Sequence, residues 1–241
     1  MTTDVIRKLE DVRPGDLYLG PIGGWVGAGV RFGELAVDGG FHVGPLNVCH
    51  IGVVVEASRT EPASDEWAAG VITAPKLAQA MPGGAEIIEM RYATHWTRQS
   101  AFARIPEDWP GQAEDAAAIA RLMVEAGVGY SYGSYPALAA WRWGLSTPRL
   151  EKWIGRRRPE AIELKWSNGP AVPPYAGWTR GGYLPVEAIC SVFADQAWSL
   201  AGREVMRNVP HQCVTPSQLG ARLLMGMPGV VWGWPSVTPY P

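Results

Sequence analysis

Two side chains that can do chemistry together stand 140 positions apart in this chain, with the histidine ahead of the cysteine. His50 opens the apolar run HIGVVVE, and Cys190 lies within the segment ICSVFADQAW. A cysteine is a strong nucleophile only as its thiolate, and a free thiol is mostly protonated at neutral pH. The N-terminus of a helix and a neighbouring imidazole both lower the pKa of a thiol. The two residues therefore predict a thiol site, with Cys190 as the nucleophile and His50 as its base.

The segment that contains His50 predicts a buried strand. Residues 49–55 (CHIGVVV) are rich in β-branched side chains, a composition typical of strands in the core. Cys49 alternates with His50, so we expect its side chain to point to the opposite face. A histidine here is either a satisfied core residue or a strand-end residue that faces a cleft. The presence of Cys190 elsewhere in the chain favours the second interpretation.

The segment that contains Cys190 predicts a helix. Its apolar residues follow helical spacing, and Gly202 is the expected stop. The apolar positions are Cys190, Phe193, Ala194, Ala197, Trp198 and Ala201. Because the periodicity begins only at Cys190, we place the helix start near residues 186–189, where the helix dipole acts on the thiol. A start at Pro185 would move Cys190 into the second turn and weaken this effect.

A thiol site of this kind needs a third polar group to orient the imidazole. Glu56 lies on the same strand face as His50, but six residues of strand span about 20 Å, which is out of reach. We expect residues 70–74 (GVITA) to form the hairpin partner of the histidine strand, and Thr73 is the polar residue in its middle. Thr73 is therefore the candidate orienting residue. The alternative is that Thr73 is an ordinary β-forming residue.

The remaining patterns are typical of a single α+β domain. Further strands are predicted over 17–20, 85–92 and 100–105, and helices over 112–126 and from Thr215 to about Gly226. Thr215, Pro216 and Gln218 form the sequence signature of a capping box with proline at the first helical position.

Residues 141–183 differ in composition from the rest of the chain. They combine five tryptophans with several prolines and the run Arg156–Arg158. We interpret residues 1–241 as one domain and 141–183 as an insertion or lid, and an irregular extension packed on the core is the alternative. A run of arginines is usually a solvated surface segment, although phosphate or a membrane surface is another partner for it.

The overall composition excludes several classes of protein. The formal net charge is -2, whereas a general nucleic-acid binder is clearly basic. No apolar run reaches the roughly 18 residues of a membrane span, and no secretory signal is visible, so a cytoplasmic location is the default expectation. Three cysteines without a C-x-x-C pair predict no disulfide framework. His42, His95 and His211 lack partners at metal-ligand spacing, so we expect neither a metal nor a cofactor.

The order of these motifs resembles the circularly permuted NlpC-like papain-fold proteins, which include the YiiX-like bacterial proteins and, more distantly, lecithin:retinol acyltransferase. The resemblance covers residues 13–135 and 184–220, and is carried by PGDLYLG, HIGVVVE, GVITA, ICSVFADQAW and TPSQL. In that group, too, the histidine precedes the cysteine. The resemblance implies a permuted papain-like fold in which a small antiparallel sheet packs against helices, including the cysteine helix.

The resemblance can be carried over residue by residue. His50 and Gly52 match the family's H-x-G pattern, and Cys190 with Ser191 matches its cysteine motif. Thr73 stands where the family usually has glutamate or histidine, which implies an altered or weakened triad, or another orienting group.

The function that the resemblance implies is that of a cysteine hydrolase or acyltransferase acting on an amide or ester. Cys190 would attack the carbonyl, His50 would move the proton, and Thr73 would orient His50. The backbone N–H of Cys190 could contribute to an oxyanion hole. Relatives act on peptidoglycan-type peptides and on lipid acyl groups, so a small-molecule, peptide or lipid substrate is expected. The alternative is a non-catalytic binding or structural module that retains the fold, such as a component associated with a virion or a cell wall. The oligomeric state is not indicated by the sequence.

Overall fold

The fold is a mixed α+β arrangement built on a six-stranded antiparallel sheet, as the α+β prediction requires. The structure is a computed structural model that describes residues 6, 9–21, 27, 28, 30, 48–61, 71–90, 100–131, 171, 172, 182–207 and 214–233. None of the helices in this described part is long and apolar enough to cross a membrane.

Twelve strands and three α-helices fall within the described residues. The strands are β1 (Leu17–Gly20), β2 (His50–Glu56), β3 (Arg59–Glu61), β4 (Val71–Thr73), β5 (Lys76–Met81), β6 (Gly84–Glu89), β7 (Ala101–Arg104), β8 (Gly129–Tyr130), β9 (Ala171–Val172), β10 (Gly182–Tyr183), β11 (Glu187–Ala188) and β12 (Val231–Gly233). The helices are α1 (Gln112–Glu125), α2 (Cys190–Leu200) and α3 (Pro216–Ala221), and a π-helical turn (Arg222–Gly226) follows α3.

The strand that begins with His50 lies in the middle of the main sheet, whose order is β12-β7-β1-β2-β5-β6. Its two neighbours, β1 and β5, both run antiparallel to it. The register with β1 places Gly20 opposite His50 and Leu17 opposite Val53. Residues at the start of β2 therefore lie beside the end of β1 and the end of β5.

The predicted hairpin partner of the histidine strand is only partly correct. Residues 71–73 do form a strand, β4, but β4 pairs with β3, and Thr73 lies opposite Arg59. The strand beside β2 is β5, which the sequence patterns did not predict. Pro75 stands between β4 and β5 and has no N–H to give to a ladder. The long hairpin is therefore divided into a distal pair, β3–β4, and a proximal pair, β2–β5.

The sheet has two apolar faces that pack against different parts of the chain. One face carries Leu17, Ile51 and Val53 and packs against α1 and α2 through Ile119 and Phe193. The other face forms a smaller cluster with N-terminal residues, and its members are Ile6, Val12, Tyr18, Val54, Ala74, Leu77, Met90 and Phe102. Alternation assigns the side chains of β2 from His50 to Val54 to one or the other of these two faces, and the register shifts between Val54 and Glu56.

An ion pair closes the end of the sheet at which β1 begins. Arg104 donates to both carboxylate oxygens of Asp16, from Nε at 2.9 Å and from Nη2 at 2.8 Å. The backbone N–H of Arg13 donates a third hydrogen bond to the same carboxylate. Burial raises the pKa of Asp16, and the hydrogen bonds and charge of Arg104 oppose that rise.

Several local predictions are confirmed. The helix predicted over 112–126 is α1. Thr215 caps α3 with both reciprocal hydrogen bonds of a capping box, and Pro216 is its first residue. Of the predicted insertion, 141–183, the structure describes only β9 and β10, which pair with each other. The remainder of that segment lies outside the described residues.

Candidate thiol site

Cys190 is the first residue of α2, one position beyond the predicted start region. Residues 187–188 form β11 instead, and Ile189 is the extended N-cap residue, with φ -86 and ψ 165. The first turn of α2, all of which the structure describes, contains no acidic residue, and no side chain caps its N–H groups. The first N–H groups of a helix lack intrahelical acceptors and carry the positive end of its dipole. This end of α2 therefore favours the negative charge of a thiolate at Cys190.

Contacts with other segments fix the chain just before and just after Cys190. β11 pairs in parallel with β8, with Ala188 opposite Tyr130. The Ser191 hydroxyl donates to the carbonyl of Val214 at 2.7 Å, just ahead of α3. Cys190 itself is reduced and buried, with 1% of its surface exposed. The helix start is thus fixed in position by a strand pair and by the segment that leads into α3.

Helix α2 runs alongside β2 in the same direction, because contacts tie both of its ends to the sheet. Ahead of its start, β11 pairs with β8, and the Val128 carbonyl just before β8 accepts from the N–H of Ala85 on β6, at the end of the sheet where β2 begins. Trp198, near its far end, donates from Nε1 to the carbonyl of Gly15 at 3.1 Å. The N–H of Gly15 donates to the carbonyl of Val54 at 2.8 Å. The eight residues from Trp198 back to Cys190 span about 12 Å of helix, and the four from Val54 back to His50 span about 13 Å of strand. Cys190 and His50 therefore lie at the same end of the sheet.

The ring of His50 is held by a buried amide. Nε2 of His50 lies 2.7 Å from Oε1 of Gln79 on β5. Gln79 is 2% exposed and His50 is 1% exposed. Nε2 of Gln79 in turn donates to Oε1 of Glu86 on β6 at 3.0 Å. The orienting group that contacts the imidazole is thus Gln79, and a carboxylate lies behind it.

Gln79 is the side chain that contacts the His50 ring, and the sequence interpretation missed it and proposed Thr73 as the orienting residue instead. Thr73 lies in β4, in the distal pair of strands, and its side chain is outside the described part of the structure. The available signal was the run LAQAM at 77–81, in which one polar amide stands between two alanines among apolar residues. A buried amide of this kind needs a partner, which is the physical reason to examine it.

Tyr18 forms one wall of the His50 environment. Its ring lies 6.3 Å from the His50 ring in an edge-on arrangement with an interplanar angle of 60°. Its hydroxyl shares a hydrogen bond of 3.0 Å with the Ser100 hydroxyl. Burial raises the pKa of Tyr18 to about 12. The phenol therefore stays neutral at physiological pH and cannot act as a base. The hydroxyl also lies over Gly20, where a Cβ would collide with it.

The His50 ring and helix α2 lie on opposite faces of the sheet, and His50 and Cys190 stand at the same end of it. The His50 ring shares a face with Tyr18 and Gln79, as the register and the hydrogen bond require. Helix α2 covers the opposite face, through Ile51 and Val53. His50 is the first residue of β2 and Cys190 is the first residue of α2. No earlier residue of either element therefore stands between these side chains and the end of the sheet. A Cys–His pair formed there has the composition of an activated nucleophile.

Comparisons with known proteins leave the resemblance as a hypothesis. No protein-family model and no curated protein matches this chain. Within the residues that the structure describes, no group of three or more His, Cys, Asp or Glu side chains could hold a metal ion. His42, His95, His211 and Arg156–Arg158 lie outside those residues.

A first prediction concerns Gln79. Gln79→Leu keeps the side-chain size but removes the acceptor for His50 Nε2, so we expect a loss of about 1–3 kcal/mol in the free energy of unfolding, typical of a buried donor left without a partner. Urea unfolding measures this loss. Equal stability of the wild type and Gln79→Leu would show that the amide does not hold the ring.

Proposed function

We propose that the protein is a cysteine hydrolase or acyltransferase with a permuted papain-like arrangement, acting on an amide or an ester. The observation that carries this proposal is the placement of Cys190 at an uncapped helix N-terminus, level with an imidazole whose Nε2 is held by Gln79. A helix dipole and an imidazole are the two devices that convert a thiol into a nucleophile. An amide partner gives the imidazole one orientation.

The proposed reaction has two halves. Cys190 transfers its proton to His50 and attacks the substrate carbonyl, so that a carbon–sulfur bond forms and the leaving group departs with the proton from the ring. Water or an acceptor alcohol or amine then attacks the thioester and releases the cysteine. The backbone N–H groups of the first turn of α2 lack intrahelical acceptors and would stabilise the charge that the carbonyl oxygen acquires.

A chromogenic acyl ester tests this proposal without knowledge of the natural substrate. We expect p-nitrophenyl acetate to release a rapid burst of about one nitrophenolate per chain, because acylation of a good thiol is faster than deacylation. Mass spectrometry should then find one acetyl group on Cys190. Cys190→Ala should show neither the burst nor the label. An acetyl group that forms equally in Cys190→Ala, or no acylation at all, would contradict the proposal.

The substrate class can be separated in the same assay. Peptidoglycan-type peptides supply an amide bond as the substrate, and short-chain phospholipids supply an ester bond. Each is offered to the acylated and to the unmodified protein, and the products are identified by mass. Transfer of the acyl group from the thioester to an added alcohol or amine would favour an acyltransferase, and release of a free fatty acid from the phospholipid or of a free amine from the peptide would favour a hydrolase.

A second function is favoured by one observation. Both Cys190 and His50 are only 1% exposed, as side chains of a non-catalytic binding or structural module would be. Such a module keeps the fold without acylation of its thiol. The two functions differ in the burst assay, since a module without catalysis leaves Cys190 unmodified.

A further inference from the structure

A chain of hydrogen bonds leads from the surface of the sheet to the buried ring of His50. Glu86 on β6 lies directly opposite Gln79 on β5 in the sheet register. Glu86 is exposed, whereas Gln79 is 2% exposed. The Gln79 amide contacts Glu86 through its nitrogen at 3.0 Å and His50 through its oxygen at 2.7 Å. One side chain thus connects a surface carboxylate to the candidate base.

The chemistry of Glu86, Gln79 and His50 determines which group donates and which accepts in each of the two hydrogen bonds. An ionised carboxylate only accepts hydrogen bonds, so Gln79 must turn its NH₂ group toward Glu86. The reversed amide would set two acceptor oxygens against each other. The Gln79 carbonyl oxygen then faces His50 and can only accept, so His50 Nε2 must carry the hydrogen. A neutral imidazole has a single N–H, which leaves the lone pair on Nδ1.

We propose that Glu86 is a positioning residue that, through Gln79, sets the tautomer of His50 and makes Nδ1 the basic nitrogen of the site. The catalytic consequence rests on the proposed function. The Cys190 thiol gives its proton to Nδ1, and the sulfur keeps the electron pair of the broken bond. The ring becomes an imidazolium that still donates from Nε2 to Gln79. The proton on Nδ1 later passes to the leaving group.

Reversing the polarity of the surface residue tests the assignment. Lysine only donates hydrogen bonds, so Glu86→Lys should turn the Gln79 carbonyl outward and its NH₂ group toward His50. Nε2 would then accept and Nδ1 would carry the hydrogen. Because Glu86 is exposed, the substitution adds no buried charge. Glu10→Lys is the matched control, since Glu10 is also exposed and lies near the other end of β2, where Ser58 donates to the Leu9 carbonyl.

The readout is the ¹⁵N NMR spectrum of histidine-labelled protein at alkaline pH, where the ring is neutral. A Cys190→Ala background prevents an imidazolium–thiolate pair, and His50→Gln identifies the His50 signals. We expect a protonated Nε2 and an unprotonated Nδ1 in this background and in Glu10→Lys, and the opposite pattern in Glu86→Lys. Glu86→Gln, which can donate or accept, should give a mixture of both tautomers.

Two results would overturn the proposal: a protonated Nδ1 in the parent protein, or the same tautomer before and after Glu86→Lys. If Glu86→Lys fails to fold, Glu86→Gln provides the test instead. A single tautomer in Glu86→Gln, the same as in the parent protein, would also overturn the proposal. The NMR result does not depend on acylation. A negative burst assay together with a tautomer that follows Glu86 would therefore reject the proposed function while leaving this assignment intact.

Discussion

Replacing His50 with alanine is expected to slow the alkylation of Cys190 by iodoacetamide about tenfold at pH 6. A thiol without its imidazole returns toward a pKa of about 8.5, so only about one in 300 is ionised at that pH. The variant therefore has about 300-fold less thiolate than a fully ionised cysteine. The thiolate of a low-pKa cysteine is intrinsically less reactive, and this offsets roughly 20- to 30-fold of the difference in thiolate concentration. The net effect is the expected tenfold decrease.

The pH dependence is more informative than the rate at one pH. In the wild type the rate should stay nearly constant from neutrality down to about pH 6, because we expect His50 and the helix dipole to stabilise the thiolate of Cys190. In His50→Ala it should fall about tenfold with each pH unit, as for an ordinary thiol. The modified cysteine is identified by peptide mass, so reaction at Cys49 does not confuse the result.

Tyr18→Phe is the control for this experiment. It removes the hydroxyl that bonds Ser100 but keeps the ring beside His50, so the wild-type profile should persist. Protein in denaturant gives the profile of unperturbed thiols. Identical profiles for the wild type and His50→Ala would show that the imidazole does not act on Cys190.

Gly15→Ala is expected to have the largest effect on stability, about 2–5 kcal/mol in the free energy of unfolding. Gly15 has a φ of +86, and a Cβ there would lie 2.5 Å from the carbonyl oxygen of Ala113 and 2.6 Å from its Cβ. The same residue accepts the Trp198 hydrogen bond and donates to Val54. A displaced Gly15 therefore disturbs the contact that keeps α2 aligned with β2.

Gly111 provides a matched control for this prediction. Its φ is +90, close to that of Gly15, but no atom lies within 4 Å of the position its Cβ would occupy. Gly111→Ala should therefore cost only the backbone term of about 1–2 kcal/mol. Urea unfolding of the two variants separates the steric contribution from the backbone contribution. Equal losses would mean that the approach of Gly15 to α1 has no energetic consequence.

The features that follow from neighbouring residues could be predicted from the sequence. The capping box at Thr215 depends on residues three positions apart, and α1 depends on a periodicity that extends over four turns. The strand at His50 and the helix at Cys190 were recognised for the same reason. The helix starts at Cys190 because residues 187–188 pair with β8, a contact between distant segments that no local pattern records.

The identity of the orienting residue could not be predicted in this way. Which side chain reaches the His50 ring depends on the register between β2 and β5, and that register depends on where Pro75 divides the long hairpin. A shift of one residue would turn Gln79 to the opposite face. Sequence position favoured Thr73, which lies in the distal pair of strands, whereas the sheet places Gln79 beside the ring.

The central claim is that the sulfur of Cys190 and the ring of His50 come within reach of each other, and a bifunctional reagent tests it most directly. The native protein is treated with 1,3-dibromoacetone, which first alkylates a thiolate and then a nearby imidazole, and is then digested and analysed by mass spectrometry. The account predicts one major cross-linked product that joins the peptides of Cys190 and His50. A product in which Cys190 carries the reagent but is joined to no histidine, or to a histidine other than His50, would contradict it.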